Sequence, residues 1–309
     1  MTSSVADALV VEGVTKAYSG RIAVDQVSFG VPRGVLTGFV GGNGAGKTTT
    51  MRIIMGVLAQ DAGRVFLDGE PVTRAVSSRF GYMPEERGLY PKDSAASQVA
   101  YLAQLHGVDK AQAEGRAISL LDRLGLKKRA YDPVETLSLG NQQRAQIAAA
   151  LVHDPDVLIL DEPFSGLDPL AVENVTALLA EYTARGAAIL FSSHQLDLVE
   201  RITEDVVIIA EGQIRAAGRR DDILATRAGS RFRLAAPGDL TWVPSAPGVA
   251  PTAVEPGVIE FSANDDAAQQ VLRLALDRGH VTSFGPAVPT LAEVFKDIVR
   301  DSAEEEDAR

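Results

Sequence analysis

The stretch Leu36–Val40, LTGFV, followed by GGNGAGKT at Gly41–Thr48 and then by TTMRIIMGVL, decides how this chain is read. The octet fits G-x-x-x-x-G-K-[ST], and its context is an apolar strand, a glycine-rich turn and the start of a helix. Glycine has no Cβ, so successive backbone N–H groups can converge on phosphate oxygens at a helix N-terminus, where unpaired donors and the positive dipole end favour an anion. Lys47 adds a cation, and the Thr48 hydroxyl can ligate Mg²⁺. The bland alternative is a glycine turn with an exposed lysine, and the flanking strand and helix argue against it.

Outward from that loop, short apolar runs alternate with helical patterns from Leu9 to about Gly218. LTGFVG, DVLILDE and AAILFSS are apolar at successive positions, as strands buried on both faces of a parallel sheet are. The alternation predicts an α/β doubly wound sheet with ligands at the carboxyl ends of its strands. Asp161 and Glu162 end VLILDE and His194 ends AAILFSSH, which puts all three at the edge where the phosphate loop belongs. One acid can hold Mg²⁺ while the other polarises water, the recurring design of phosphoryl transfer. From Asp93 to Leu126 the pattern turns helical, SAASQVAYLAQLHG and then KAQAEGRAISLLDRLG, with Gly107 and Gly125 as stops. In LSLGNQQR, Leu137–Arg144, Ser138 stands where it can cap a helix continuing as AQIAAALV. FSGLDP, Phe164–Pro169, follows the acids directly.

After Gly218 the strand signal fades. Pro237, Pro244, Pro247, Pro251 and Pro256 predict a loop over 237–256. RFRLA, VIEFS and HVTSF read as short strands. A helix capped by Asn264, with Asp265 and Asp266 in its first turn and Gly279 past its end, lies between the last two. The capping box Thr290 to Glu293 opens a final helix with Leu291, Val294, Phe295, Ile298 and Val299 on one face. These pieces predict a small α+β domain over 221–300, after a domain over 1–220 whose helical insertion spans about 93–145. The acidic tail 301–309 reads as a solvated, frayed end.

The chain has 309 residues, enough for two domains with sizeable cores. Its net charge of −11 argues against a protein that blankets phosphates of nucleic acid with Lys and Arg. Zero cysteines exclude disulfides, thiolate zinc sites and cysteine nucleophiles. No uncharged apolar run approaches the roughly 18 residues of a membrane helix, and MTSSVADALVVEG lacks the regions of a signal peptide, so a cytoplasmic chain is expected.

Together these motifs resemble the ATP-binding subunit of an ABC transporter, over residues 9 to about 220. The resemblance implies a P-loop NTPase of ABC type, with a mostly parallel sheet, an N-terminal antiparallel β part and an α-helical insertion. It implies ATP and Mg²⁺ as cofactors. Gly41, Gly42, Asn43, Gly44, Ala45, Gly46, Lys47, Thr48 and Thr49 would hold the nucleotide, with Tyr18 stacked on adenine. Glu162 would be the base, His194 and Lys47 the γ-phosphate contacts, and Thr48 and Asp161 the metal ligands. Ser138 and Gly140 would form the signature motif, and Asp168 the loop joining two subunits. Two such subunits would bind head to tail, as a homodimer, each ATP lying between the phosphate loop of one and the signature serine of the other.

Two departures from the family pattern stand out. FGYMPEERGLYP carries Glu85 where the family has glutamine; a carboxylate can ligate Mg²⁺ but cannot donate when ionised. Leu139 and Asn141 replace the commoner glycine and glutamine of the signature. PEERGLYP, LSLGNQQ and PTLAEVFKDIV resemble the bacterial export branch for drugs, antibiotics or sodium. That branch implies a separate polytopic permease, docked on the helical insertion and the PEERGLY loop, with the chain peripheral on the inner face of the cell membrane. The rival readings are an import ATPase with a regulatory C-terminal domain and a soluble ABC ATPase of translation or DNA repair. No nucleic-acid partner is expected.

Overall fold

The computed structural model describes residues 7–73, 76–86, 88–228 and 230–307, with the side chains of Ser77, Ala228 and residues 303–307 not included. The first six residues, Arg87 of PEERGLYP and the last two residues of the acidic tail lie outside the described residues.

In chain order the first part holds β1 (Asp7–Tyr18), β2 (Arg21–Pro32), β3 (Leu36–Val40), α1 (Lys47–Ile54), β4 (Ala62–Leu67), β5 (Glu70–Pro71) and β6 (Phe80–Met83). Next come α2 (Ala95–Leu105), α3 (Lys110–Arg123), α4 (Leu139–Leu151), β7 (Val157–Leu160), α5 (Pro169–Ala184), β8 (Ala188–Ser193), α6 (Leu196–Ile202), β9 (Asp205–Ala210) and β10 (Gln213–Arg219). The remainder is α7 (Arg220–Ala228), β11 (Arg231–Ala235), β12 (Ala250–Glu255), β13 (Val258–Ser262), α8 (Asp265–Arg278), β14 (Ser283–Pro286) and α9 (Leu291–Asp307). Contacts divide the chain into two compact units, Met1–Arg220 with Asp297–Arg309, and Asp221–Lys296.

In the larger unit, the three runs that read as buried strands are β3, β7 and β8, and every residue of each is buried. They belong to a sheet of order β10-β9-β3-β8-β7-β6, parallel throughout except for β9 with β10. Chain order reverses around β3, so the loop after β3 and the loops after β7 and β8 emerge at one carboxyl edge, where an open α/β sheet binds its ligands. A second sheet, β2-β1-β4-β5, is antiparallel. Val14, Val27, Phe29, Phe39, Met51, Ile54 and Leu67 are shared in one core between these layers.

The helical insertion forms as its sequence dictates. Ser94 caps α2 by accepting from the Ser97 N–H, and Asp109 caps α3 by accepting from the Ala111 N–H. The two helices pack on each other and on α4. The helix expected to leave the insertion near residue 145 continues to Leu151, its Ile147, Ala148 and Leu151 buried.

In the smaller unit a four-stranded antiparallel sheet, order β12-β13-β11-β14, buries Leu234, Ile259 and Phe261 with Val271 and Ala275 of α8. Asn264 caps α8 as expected, its side chain accepting from the Ala267 N–H at 2.8 Å. The expected loop over 237–256 is corrected: Ala250–Glu255 forms β12, which contains Pro251. Pro is tolerated because β12 is an edge strand, where one row of N–H groups faces away from the ladder, and the register shifts between Pro251 and Ala253. The strand expected at HVTSF runs instead over Ser283–Pro286, its first residues being spent on leaving α8. The Thr290 and Glu293 capping box forms in both directions. The tail beginning at Asp301 is corrected too: α9 remains helical to Asp307, and Ser302 is buried with its hydroxyl on the Ile298 carbonyl.

Candidate functional site

A cavity of about 750 Å³ opens at the carboxyl edge of the parallel sheet. Of the residues singled out from the sequence, Gly42, Asn43, Gly44, Gly46, Lys47, Thr48, Thr49, Glu85, Asp161, Glu162 and His194 line it. They come from segments far apart in sequence, assembled by the strand order alone.

The phosphate loop is held by its own backbone. Gly46, at the N-cap of α1, has φ +106°, and a Cβ there would stand 2.8 Å from the Ala23 carbonyl oxygen. Only glycine takes both the left-handed conformation and the close approach. The Lys47 ammonium donates to the carbonyls of Gly41 and Gly42 at 2.6 and 3.1 Å, which fixes the cation over the loop. Gly41 and Ala45 build the loop from beneath, Ala45 through an N–H bond to the Gly42 carbonyl.

Beyond β8, the acid pair meets the loop. The Thr48 hydroxyl donates to Asp161 Oδ2 at 2.9 Å. Asp161 is 1% exposed, its other oxygen accepting from the Ser192 hydroxyl. The same Ser192 oxygen accepts the Glu162 N–H at 2.9 Å. Glu162 has φ +51°, a costly conformation for a residue with a Cβ, of the kind found where geometry serves chemistry. Its carboxylate lies 2.9 Å from Nδ1 of His194. A carboxylate oxygen accepts in this contact and the ring donates through Nδ1. One hydroxyl and one buried carboxylate oxygen stand side by side, hard oxygen donors of the type Mg²⁺ prefers. Among the described residues no group of three or more His, Cys, Asp or Glu is placed to hold a metal ion.

Other predicted residues stand outside the lining. Tyr18 ends β1, 47% exposed, with the Lys16 ammonium 5.9 Å from its ring centroid. Asp168 caps α5, accepting from the Ala171 N–H at 2.8 Å. Ser138 holds the N-cap position of α4, but the expected side-chain cap is corrected: its hydroxyl accepts nothing from the helix. The first-turn donors of α4 are thereby left open. Gly140 is required by close approach, since a Cβ there would stand 2.9 Å from the Gly166 carbonyl oxygen.

Sequence reasoning missed Ala23, Gln143, Ser165 and Gly166 in the lining, and Ser192 beneath the acids. Gln143 was findable: it falls one helical turn after Gly140, on the same face. Ser192 was not, because nothing in FSSH tells which neighbours β8 has.

Strand order, glycine loop and acid pair together define a P-loop nucleoside triphosphatase. Two family models match: "ABC transporter" over residues 24–165, and "ATP-binding protein DrrA1-3-like, C-terminal domain" over residues 218–299. The chain is 36% identical to the uncharacterized ABC transporter ATP-binding protein YhaQ of Bacillus subtilis, covering 93% of this chain and 97% of that protein. It is 36% identical to Nod factor export ATP-binding protein I of Paraburkholderia xenovorans, over 72% of this chain and 74% of that one. A solved ATP-binding subunit of an ABC transporter superposes with a TM-score of 0.66 at 32% identity, over 71% of this chain and 92% of that one. The chain belongs to the family of ABC transporter ATP-binding proteins, ATPases that bind ATP and use Mg²⁺ in its hydrolysis. Among the described residues no helix is long and apolar enough to cross a membrane.

Proposed function

We propose that this chain energises export of a small, hydrophobic, drug-like or antibiotic compound through a separate membrane permease. The observation that carries the catalytic half is the cavity in which Lys47, Thr48, Asp161, Glu162 and His194 converge. Thr48 and Asp161 would hold Mg²⁺, whose charge would offset that developing on the transferred phosphoryl group. Lys47 and His194 Nε2 contact the γ-phosphate. Glu162 accepts the proton of the attacking water, its carboxylate aimed by His194. Glu85, in the same lining, would add a second carboxylate, beside Asp161, to the metal side. Gly41–Gly46 with Thr49 cradle the phosphates, and the exposed ring of Tyr18 takes adenine.

Ser138 acts on the ATP of a second, identical subunit bound head to tail. Its uncommitted hydroxyl and the open donors of the α4 first turn support this role, with Gly140 and Asp168 shaping the same surface. The permease docks on the helical insertion and the PEERGLY loop. Tyr101 and Leu105 on α2, 59% and 63% exposed, and Tyr90, 73% exposed between the groove-lining Leu89 and Pro91, support that placement. The chain is then peripheral on the inner face of the membrane. The export direction is supported by PEERGLYP and LSLGNQQ, and by the relative named for Nod factor export.

A mild-detergent pull-down of the tagged chain from its native membranes, with mass spectrometry of partners and an ATPase assay, tests this reading. Recovery of a multi-span permease with ATPase activity is the expected result. Ribosomes or nucleic acid in its place would overturn it.

A further inference from the structure

The backbone of Glu162 is gripped on both sides of its Cα. Its N–H goes to Ser192 Oγ at 2.9 Å, and its carbonyl accepts from the Gln143 side-chain amide at 2.8 Å and from the Ser165 N–H at 3.2 Å. Gln143 is 8% exposed, and its amide reaches the carbonyl from α4, the helix whose first turn carries Ser138 and Gly140. One turn before Gln143, Gly140 sits against the carbonyl of Gly166, in the loop that follows Glu162. The helix is therefore fastened to the loop of the base at two points on one face. Glu162 keeps φ +51° only if its surroundings insist, since this region costs a residue with a Cβ about 1–3 kcal/mol.

We infer that Gln143 is a positioning residue: it fixes the peptide of Glu162 from the helix that carries Ser138, and so ties the aim of the base to the position of that helix. The inference rests on the reading of Glu162 as the base. Gln143 does not reach the reacting atoms through its own chemistry; it acts through the Glu162 carbonyl. Ser192 holds the N–H of the same residue and donates its own hydrogen bond to Asp161, so metal side and base side share one hydroxyl. A helix pushed by a nucleotide at its first turn then moves the carboxylate without touching it.

The test is steady-state ATPase kinetics of the full chain carrying Gln143→Glu, Gln143→Ala or Ser192→Ala, alongside thermal melting. Gln143→Glu keeps the shape and loses the donor. Each variant is expected to lower kcat about tenfold or more while KM for ATP stays within about threefold, with a single cooperative melting transition kept by Gln143→Glu. In single turnover, Gln143→Glu combined with Glu162→Gln is expected to be no slower than Glu162→Gln alone, because the base whose aim it sets is already gone. Wild-type kcat in Gln143→Glu, with turnover abolished in Glu162→Gln, would overturn the inference and leave the base in place. Full additivity of the two losses would overturn it as well. Near-normal turnover in Glu162→Gln would instead remove the reading on which it rests.

Discussion

Thr48 and Asp161 stand 113 residues apart in sequence and share a hydrogen bond of 2.9 Å from hydroxyl to carboxylate. The bond reaches across β8, which lies between β3 and β7 in the sheet. It joins the phosphate loop to the acid pair, so the two proposed metal ligands are held side by side by a protein contact.

Replacement of the hydroxyl tests that site. Thr48→Val keeps the side-chain shape and is expected to weaken Mg-ATP binding about tenfold or more, with binding of ATP in EDTA changed less than about threefold. Calorimetric titration with and without the metal reads the difference. Equal loss in both conditions would assign Thr48 to folding of the loop.

For the base, Glu162→Gln leaves the hydrogen-bonding shape in place and removes the proton acceptor. ATP binding is expected to survive while turnover falls by about 10²–10⁴-fold. Size-exclusion chromatography with ATP should then show a larger dimer fraction than wild type, since the nucleotide that joins two subunits persists.

Gly140→Ala places a methyl group 2.9 Å from the backbone oxygen of Gly166, where no flexible side-chain end can yield. The expected cost is about 1–3 kcal/mol, seen as a lower midpoint in urea unfolding at unchanged slope. Asn141→Ala, on the same turn, serves as the control.

The fourth prediction concerns pH. His106 and His153 stack with ring centroids 3.7 Å apart, His153 donating Nε2–H to the Phe80 carbonyl at 3.0 Å. Burial, then the facing His106 ring, pushes the His153 imidazole down to about 4 against weaker raising effects of the Phe80 carbonyl and Asp154. Its unfolded value is about 6.5, so the unfolded chain binds the extra proton between the two. Stability from this group is complete above about pH 6.5 and is lost as pH falls toward 4. The loss is on the order of 1–2 kcal/mol once solvent screening of a partly exposed ring is allowed for. Urea unfolding at pH 7 and pH 5 measures it. His153→Phe should retain the stack and flatten that part of the slope.

Much of the catalytic edge was legible before any coordinates. LTGFV, VLILDE and AAILFSSH announced buried parallel strands through unbroken apolar runs, and topology then dictated that their ends meet. Ser192 was illegible because its role depends on β8 standing between β3 and β7, a spatial order that no local pattern encodes. Gln143 looked like one polar residue in a polar phrase; its burial follows from the face it shares with Gly140. Pro251 misled because proline excludes a central strand but not an edge one. The acidic tail misled through charge, whereas α9 is started by a strong capping box and needs no further signal to continue.

The prolines at the two borders of the smaller sheet have a last consequence. Pro251 stands in β12 and Pro286 in β14, so each outer strand lacks one of the donors a docking strand would need. A passing chain finds no continuous ladder to extend. The small unit thereby blunts both borders of its sheet against pairing with a further strand.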